Sequence, residues 1–224
     1  MRSYFRRVAV VAGVVGAWGL AAAPAVAQTA EQTVDRAVKA YAKIHTVRAT
    51  FTQRLTNPLT GSEVTSHGEL QQRIPGYLSV RFTDPAGDRI VADGKAVWVY
   101  LPSTNPGQVI KAPLASGSAG APDVASWFLD SPKTRYKISA GGTASIEGHA
   151  THAVVLVPRD STIPFTKATV WVDDDDALLR QFETTDANGV VRRVTIERIV
   201  PNAKLDRGAF TFRVPKGVRV FEQS

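Results

Sequence analysis

The chain has 224 residues, and its 27 Lys and Arg against 20 Asp and Glu give a formal net charge of +7 at pH 7. It contains no cysteine, which excludes disulfide bonds, thiolate catalysis, thiolate metal ligands and lipid attachment to a terminal cysteine. The positive charge is mild and scattered along the chain. Because a nucleic-acid-binding protein concentrates its basic residues on one face, we expect no nucleic acid as a partner.

The first 27 residues have the three parts of a secretory signal peptide. Three arginines make a positive start, Val8–Ala23 is an apolar run, and an A-x-A cleavage site ends at Ala27. The alternative is an uncleaved membrane anchor, but a membrane-spanning helix needs roughly 20 apolar residues. We therefore expect export, cleavage after Ala27, and a mature chain, 28–224, that folds as a single domain.

Apolar residues recur at helical spacing near the start of the mature chain. They predict an amphipathic helix over Ala30–Val47. Its apolar side is formed by Val34, Ala37, Val38, Tyr41 and Ile44. Strands dominate the residues that follow, and turn residues such as Asn57-Pro58 and Asp84-Pro85 separate them.

The segment Phe51–Tyr100 carries more apolar surface than one ordinary core requires. A sheet covered on one side only alternates cleanly between apolar and polar residues. One predicted strand directs Leu78, Val80 and Phe82 to one side. A later strand is apolar on both sides, with one face formed by Val97, Val99 and Leu101 and the other by Ala96, Trp98 and Tyr100. This surplus indicates a surface that binds something apolar, and the side on which Trp98 and Tyr100 lie stays open.

The pair Asp93-Gly94 predicts a tight turn between two of these strands. Both central positions of a type I′ hairpin need a positive φ, which Asp and Gly tolerate. In that register Ala92 faces Lys95, and Ile90 faces Val97. Ile90 then joins the aliphatic face that contains Val97, Val99 and Leu101.

Residues 102–122 are rich in Pro, Gly and Ser and predict a long flexible loop around a short apolar piece, Val109-Ile110. Pro122 and Asp123 then open a short predicted helix. An aromatic helix after a mobile loop can serve as a lid, and its lid residues would be Trp127 and Phe128. Ordinary packing onto the sheet is the alternative for this helix.

The remaining residues predict a β-meander, in which Gly141-Gly142 separates strands near 134–140 and 143–148. This brings the total to about ten or eleven strands with two or three short helices. The fold class is therefore mainly β with short α (α+β). An antiparallel sheet with a long amphipathic helix can curl into an unclosed half-barrel, and the aromatic helix can form a helical lid over an apolar cavity. Such cavities bind ligands by burying their surface.

No catalytic or metal-binding constellation stands out in the sequence. His149 and His152 lie three residues apart on a predicted strand and so face opposite sides. The run Asp173–Asp176 is interpreted as a solvated hairpin tip, because it lacks the spaced ligands and Gly of a calcium loop. Neither His45 nor His67 has an evident acid partner, and no nucleophile elbow or phosphate loop appears. We expect no enzyme activity, no cofactor and no metal.

An ordered set of short motifs resembles the outer-membrane lipoprotein carrier (LolA) family. Each piece alone is weak, but together they cover most of the mature chain in order. The set comprises Phe51-x-Gln53, Gly68-x-Leu70, Pro75, Leu78, Val91-x-Asp93-Gly94, Trp98-x-Tyr100, Phe210-x-Phe212 and Pro215-x-Gly217-Val218. The resemblance implies a periplasmic protein that carries acyl chains non-covalently from an inner-membrane ABC transporter to an outer-membrane receptor.

The resemblance also implies roles for individual residues. Acylated lipoproteins, or other lipids, would be bound by a monomer in a cavity lined by Phe51, Leu78, Val80, Phe82, Ile90, Val97, Val99 and Leu101. In the family an arginine directly before the proline helps to hold the lid closed. Here Ile74 stands in that place and Arg73 comes one residue earlier, so both are gate candidates, and the chain is expected to be a divergent member.

Two other classes of function remain as alternatives. A regulatory protein of the same fold could sense lipid and bind an envelope-stress partner, although such sensors tend to carry an extra domain. A secreted hydrolase built on a β-sheet is the third possibility, and it lacks an evident nucleophile and base.

Overall fold

The computed structural model describes residues 29–114 and 124–223. The predicted signal peptide, its cleavage site and the predicted helix start at Pro122 lie outside these residues. The helices are α1 (Ala30–Tyr41), α2 (Val124–Leu129) and α3 (Pro132–Arg135). The strands are β1 (Thr46–Asn57), β2 (Ser62–Arg73), β3 (Tyr77–Asp84), β4 (Arg89–Asp93), β5 (Ala96–Tyr100), β6 (Gln108–Pro113), β7 (Tyr136–Ile146), β8 (His149–Pro158), β9 (Lys167–Asp173), β10 (Leu179–Thr185), β11 (Val191–Pro201) and β12 (Arg219–Glu222).

All twelve strands form one sheet, in the order β12-β6-β5-β4-β3-β2-β1-β11-β10-β9-β8-β7. Neighbouring strands are antiparallel except β12, which runs parallel to β6. The two end strands, β12 and β7, do not pair with each other, so the sheet is unclosed. The predicted fold class, mainly β with short helices on an unclosed sheet, is confirmed. Within the described residues, no helix is long and apolar enough to cross a membrane.

Two strand predictions need correction. The segment predicted as a flexible loop contains β6, and Val109 within it is fully buried. Two strands predicted on either side of Gly141-Gly142 form the single strand β7, whose pairing with β8 shifts register between Ala140 and Gly142. Gly142 has a φ of +93°, so this bulge explains a glycine pair that looked like a turn.

Helix α1 is shorter than predicted, because it ends at Tyr41 rather than at Val47. Its start is fixed by a capping box, in which the Thr29 hydroxyl accepts from Gln32 N–H and the Gln32 side chain accepts from Thr29 N–H. After the helix, the Asn202 side chain accepts a hydrogen bond from His45 N–H at 2.9 Å. This contact with the end of β11 helps to turn the chain into β1.

The turn between β4 and β5 is also longer than predicted. Ala92 pairs with Val97 and Ile90 pairs with Val99, so four residues instead of two lie between the last paired residues of the hairpin. Only Gly94 in this turn has a positive φ, +87°. The Asp93 carboxylate accepts hydrogen bonds from the N–H groups of the next turn residues, which stabilises the wider loop.

The helices lie on one side of the sheet, which we call the inner face, and the opposite side is the outer face. The main core forms on the inner face, where α1 buries Val34 and Ala37 and α2 buries Phe128. On β3, Leu78 and Val80 belong to this same core. The inner face is therefore the place where a cavity between sheet and helices can form.

Gly68 on β2 lies where a side chain would displace Phe51 of β1. A Cβ at this position would come within 2.7 Å of Phe51 Cζ and 2.9 Å of the Arg81 carbonyl oxygen. We expect Gly68→Ala to lower the free energy of unfolding by about 1–3 kcal/mol, the usual cost of overpacking. Urea unfolding of Gly107→Ala is the matched control, because nothing lies within 4 Å of a Cβ there. Equal stability of the two variants would contradict the expectation.

Candidate functional site

An apolar cavity of about 380 Å³ lies between the inner face and helices α1 and α2. This volume is in the lower part of the range for small-molecule sites. Aliphatic and aromatic side chains form most of its wall, and polar side chains contribute at its ends. The lining consists of Tyr41, Val47, Ala49, Phe51, Gln53, Leu70, Gln72, Leu78, Val80, Phe82, Ile90, Val97, Val124, Ala125, Trp127, Leu179, Phe182, Thr184, Arg192, Val194, Ile196 and Ile199.

The structure brings most of the residues singled out from the sequence to this cavity. Those at its wall are Phe51, Leu78, Val80, Phe82, Ile90, Val97 and Trp127. The other two predicted wall residues are not part of the lining. Val99 faces the same side as Ile90, its partner across the sheet, but does not reach the cavity. Leu101 lies beyond the end of β5, in a turn.

The cavity wall keeps apolar surface accessible. Phe51 and Phe82 meet edge to face, with ring centroids 5.8 Å apart. Phe51 is buried, whereas Phe82, Ile90 and Val97 are only partly buried. A ligand that covers these partly exposed side chains gains about 25 cal/mol for each Å² of apolar surface that leaves water.

Helix α2 covers the cavity and is anchored at both of its predicted lid residues. Trp127 is partly buried and lines the cavity, while its carbonyl oxygen accepts a hydrogen bond from the Tyr136 hydroxyl. Phe128 is fully buried, not a cavity residue, and packs against Phe165 and Phe182 with ring centroids 5.9 and 5.2 Å apart. Burial raises the pKa of Tyr136, which keeps its hydroxyl protonated as a donor.

Neither of the two gate candidates, Arg73 and Ile74, is among the residues that line the cavity. Arg73 pairs with Tyr77 across the sheet and therefore shares its outer face, opposite α2. Its guanidinium lies 3.9 Å from the Tyr77 ring centroid and 5.5 Å from that of Phe210. Ile74 follows the end of β2, donates its N–H to the His45 carbonyl at 2.9 Å and is not part of the cavity lining.

The segment between β11 and β12 covers the outer face and accounts for the apolar surplus of β5. Trp98 stacks on Phe212 at 5.5 Å, and Tyr100 meets the edge of the same ring at 6.2 Å. The open question about Trp98 and Tyr100 is thereby answered: both lie on the outer face. Much of the motif set that carries the family resemblance stabilises this face rather than the cavity.

Asp93 links the turn before β5 to this aromatic cluster. Its carboxylate accepts a hydrogen bond from the Trp98 indole N–H at 2.9 Å. Burial alone would raise the pKa of Asp93, but this bond and those from the N–H groups of Ala96 and Lys95 outweigh it, so the pKa lies below its ordinary value. The carboxylate therefore stays charged and keeps its acceptor role.

Sequence reasoning missed the half of the cavity that comes from the last strands. Leu179 and Phe182 on β10 line the cavity beside Val194 and Ile196 on the neighbouring strand β11, and Phe182 pairs with Val194. A signal was present, because the period of two along β11 puts Arg192, Val194 and Ile196 on one face. The alternation along β11 does not predict that this strand pairs with β1, and that pairing closes this side of the cavity.

The acidic run between β9 and β10 is not a uniformly solvated tip, as the sequence suggested. Asp173 is buried, and its carboxylate lies 2.6 Å from Arg180 Nε and 2.7 Å from His149 Nδ1. The next acid, Asp174, pairs with His152. These contacts join β8 to the turn, and the described residues contain no group of three or more His, Asp or Glu that could hold a metal ion.

His67 has an acid nearby that the sequence did not reveal. Its Nδ1 lies 4.0 Å from Glu197 Oε1, and the Thr52 hydroxyl lies between them, donating to Glu197. Thr52 also lies 2.8 Å from His67 Nδ1. His67 and Glu197 are exposed, and Thr52 is partly buried. Because the hydroxyl donates directly to the carboxylate, the histidine does not relay its proton as a hydrolytic triad requires.

The fold and the site together define a class of protein: an unclosed β-sheet whose helices cover an apolar cavity. The family model described as outer membrane lipoprotein carrier protein LolA matches residues 42–213. The chain belongs to this family, which confirms the resemblance seen in the motifs.

Two relatives named "Outer-membrane lipoprotein carrier protein" show how divergent this member is. The protein from Leptothrix cholodnii is 28% identical over 176 residues, covering 79% of each chain. That from Pectobacterium carotovorum is 24% identical over 182 residues, covering 81% of this chain and 83% of the relative. Among solved structures, an uncharacterized conserved protein from Thermus thermophilus has the same fold, with a TM-score of 0.54 at 15% identity, covering 87% of this chain and 99% of that one.

Proposed function

We propose that this protein is a periplasmic carrier that holds the acyl chains of lipoproteins, or of another lipid, in the inner-face cavity. It receives them from an inner-membrane ABC transporter and delivers them to an outer-membrane receptor. The observation that carries the proposal is the cavity itself, whose wall keeps Phe82, Ile90 and Val97 partly exposed. Family membership supports the same role.

The energetics of lipid transfer support a cavity of this kind. An acyl chain of about sixteen carbons gains on the order of 10 kcal/mol when it leaves water, at ~0.8 kcal/mol for each buried CH₂. A lipid crossing an aqueous compartment therefore needs a shield. A carrier must also release its cargo, so a cavity that stays partly open suits transfer better than one that buries the whole chain.

Native mass spectrometry of the mature protein, purified from its own periplasm, tests the proposal. We expect co-purified lipid or acylated protein, and we expect the delipidated protein to take up a fluorescent fatty acyl probe. If this protein were a hydrolase, it would instead release a hydrolysis product from an acyl ester during the same incubation. Protein that carries no lipid and takes up no probe would contradict the carrier role.

A further inference from the structure

Arg192 of β11 differs in chemical character from the other residues of the cavity wall. Among the described residues that line the cavity, it is the one with a formal charge. Its side chain is exposed, which places it at the mouth and not in the buried interior. A guanidinium at the mouth of an apolar cavity can contact the polar end of a ligand whose chain lies inside.

Strand register gathers other polar groups around Arg192. It pairs with Thr184 on β10 and with Leu55 on β1, so all three share the inner face. Gln53 lies two residues from Leu55 on the same strand and pairs with Val194. Gln53, Thr184 and Arg192 all line the cavity, and we call this group the polar end.

None of the acidic residues that the structure describes neutralises the charge of Arg192. Two neighbouring arginines are paired: Arg54 lies 3.3 Å from Glu63, and Arg193 lies 2.6 Å from Glu183. Within residues 29–114 and 124–223, Arg192 has no ion-pair or side-chain hydrogen-bond partner. As far as the structure describes the chain, the polar end therefore presents a cation without an acidic partner, beside an amide and a hydroxyl.

We propose that the polar end binds an anionic group attached to an acyl chain, with Arg192 as the residue that selects for negative charge. A guanidinium donates two parallel hydrogen bonds to a carboxylate or a phosphate, while Gln53 and Thr184 can donate to remaining oxygens. The inference rests on the proposed function and sharpens it, because it specifies an anionic amphiphile as cargo. A fatty acid supplies a carboxylate and a phospholipid supplies a phosphate.

Displacement of the fluorescent acyl probe by three ligands with the same palmitoyl chain tests this inference. Palmitate carries a carboxylate, lysophosphatidylglycerol carries a phosphate, and monopalmitoylglycerol is uncharged. We expect Arg192→Gln to weaken at least one anionic ligand about tenfold, as loss of a charged hydrogen bond implies, and to leave the uncharged ligand unchanged. The anion that loses more affinity identifies the source of the charge.

Two further variants separate charge from packing. Arg193→Gln removes a neighbouring charge that is paired with Glu183 on the outer face, and we expect it to leave all three affinities unchanged. Arg192→Lys keeps the charge and should retain part of the anion preference, which added salt then weakens. Thermal unfolding checks that each variant is folded.

The outcomes distinguish this inference from the proposed function. If Arg192→Gln weakens all three ligands equally, or none of them, anion selection by Arg192 is overturned while the cavity remains a lipid site. If the wild-type protein binds none of the three, both proposals fail.

Discussion

Leu78→Glu is expected to reduce affinity for a fluorescent acyl probe by at least about 100-fold while the protein remains folded. Leu78 belongs to the buried wall of the cavity. A carboxylate there lies at the cavity wall, loses its remaining water when an acyl chain enters, and gains no hydrogen-bond partner. Desolvation of an unpaired carboxylate costs several kcal/mol, and every 1.4 kcal/mol is tenfold in affinity.

The measurement is probe titration alongside far-UV circular dichroism and thermal unfolding. Thr83→Glu is the matched control, because Thr83 is exposed on the same strand and does not line the cavity. If Leu78→Glu fails to fold, Val97→Glu tests the same wall at a partly exposed position. Unchanged binding in a folded cavity variant would show that the probe binds elsewhere.

The inner face of the first strands could be predicted from the sequence because side-chain direction along a strand is a local property. Alternation alone placed Leu78, Val80 and Phe82 together, and all three line the cavity. The turn after β4 shows that the predicted face of a side chain can be right even when the predicted strand register is wrong. Its register was wrong by two residues, since Ile90 pairs with Val99 and not with Val97. A shift of two keeps every side chain on its face, whereas a shift of one would have reversed them.

The same rule explains why Arg73 lies away from the cavity. Its neighbour Gln72 lines the cavity, and one residue on a strand reverses the face. Arg73 therefore packs on Tyr77 and Phe210 on the outer face. The contact of Phe210 with these residues could not be read from β2 or β3, because contacts between distant parts of the chain depend on how the whole sheet is assembled.

Non-local pairing also hid the second half of the site. The neighbour of β1 on one side is β2, which follows it directly, and on the other side it is β11 from the far end of the chain. That pairing brings Arg192 beside Leu55 and completes the cavity. Sequence patterns give the face of each strand, but they do not say which distant strands lie side by side.

Asp173→Asn is expected to lower the free energy of unfolding by about 3 kcal/mol near neutral pH, because it breaks a buried ion pair. The side chains of Asp173 and Arg180 are only 2% and 8% exposed, and Asp173 Oδ2 lies 2.6 Å from Arg180 Nε. The Asp175 N–H also donates to Asp173 Oδ1 at 2.7 Å. Without the negative charge of Asp173, less of the positive charge on the buried Arg180 guanidinium is balanced by an acid.

The matched control for this variant is Glu69→Gln, which breaks an exposed pair with Arg81. Exposed pairs contribute between 0 and about 1 kcal/mol. Urea unfolding of both variants and the wild type at neutral pH compares the two losses. A loss in Asp173→Asn no larger than that in Glu69→Gln would show that the buried pair does not stabilise the fold.

The Asp173→Asn variant also tests how the stability of the protein depends on pH in acid. Burial alone would raise the pKa of Asp173, but hydrogen bonds from Asp175 N–H and Arg180, and the Arg180 charge, outweigh it and hold the pKa below its ordinary value. The ionised carboxylate therefore stabilises the fold fully above its unfolded pKa, about 3.9. This stabilisation is lost as the pH falls through the lower, folded pKa. The stability difference between wild type and Asp173→Asn should thus shrink below about pH 4. A difference that persists undiminished in strong acid would mean that the charge of Asp173 is not its source.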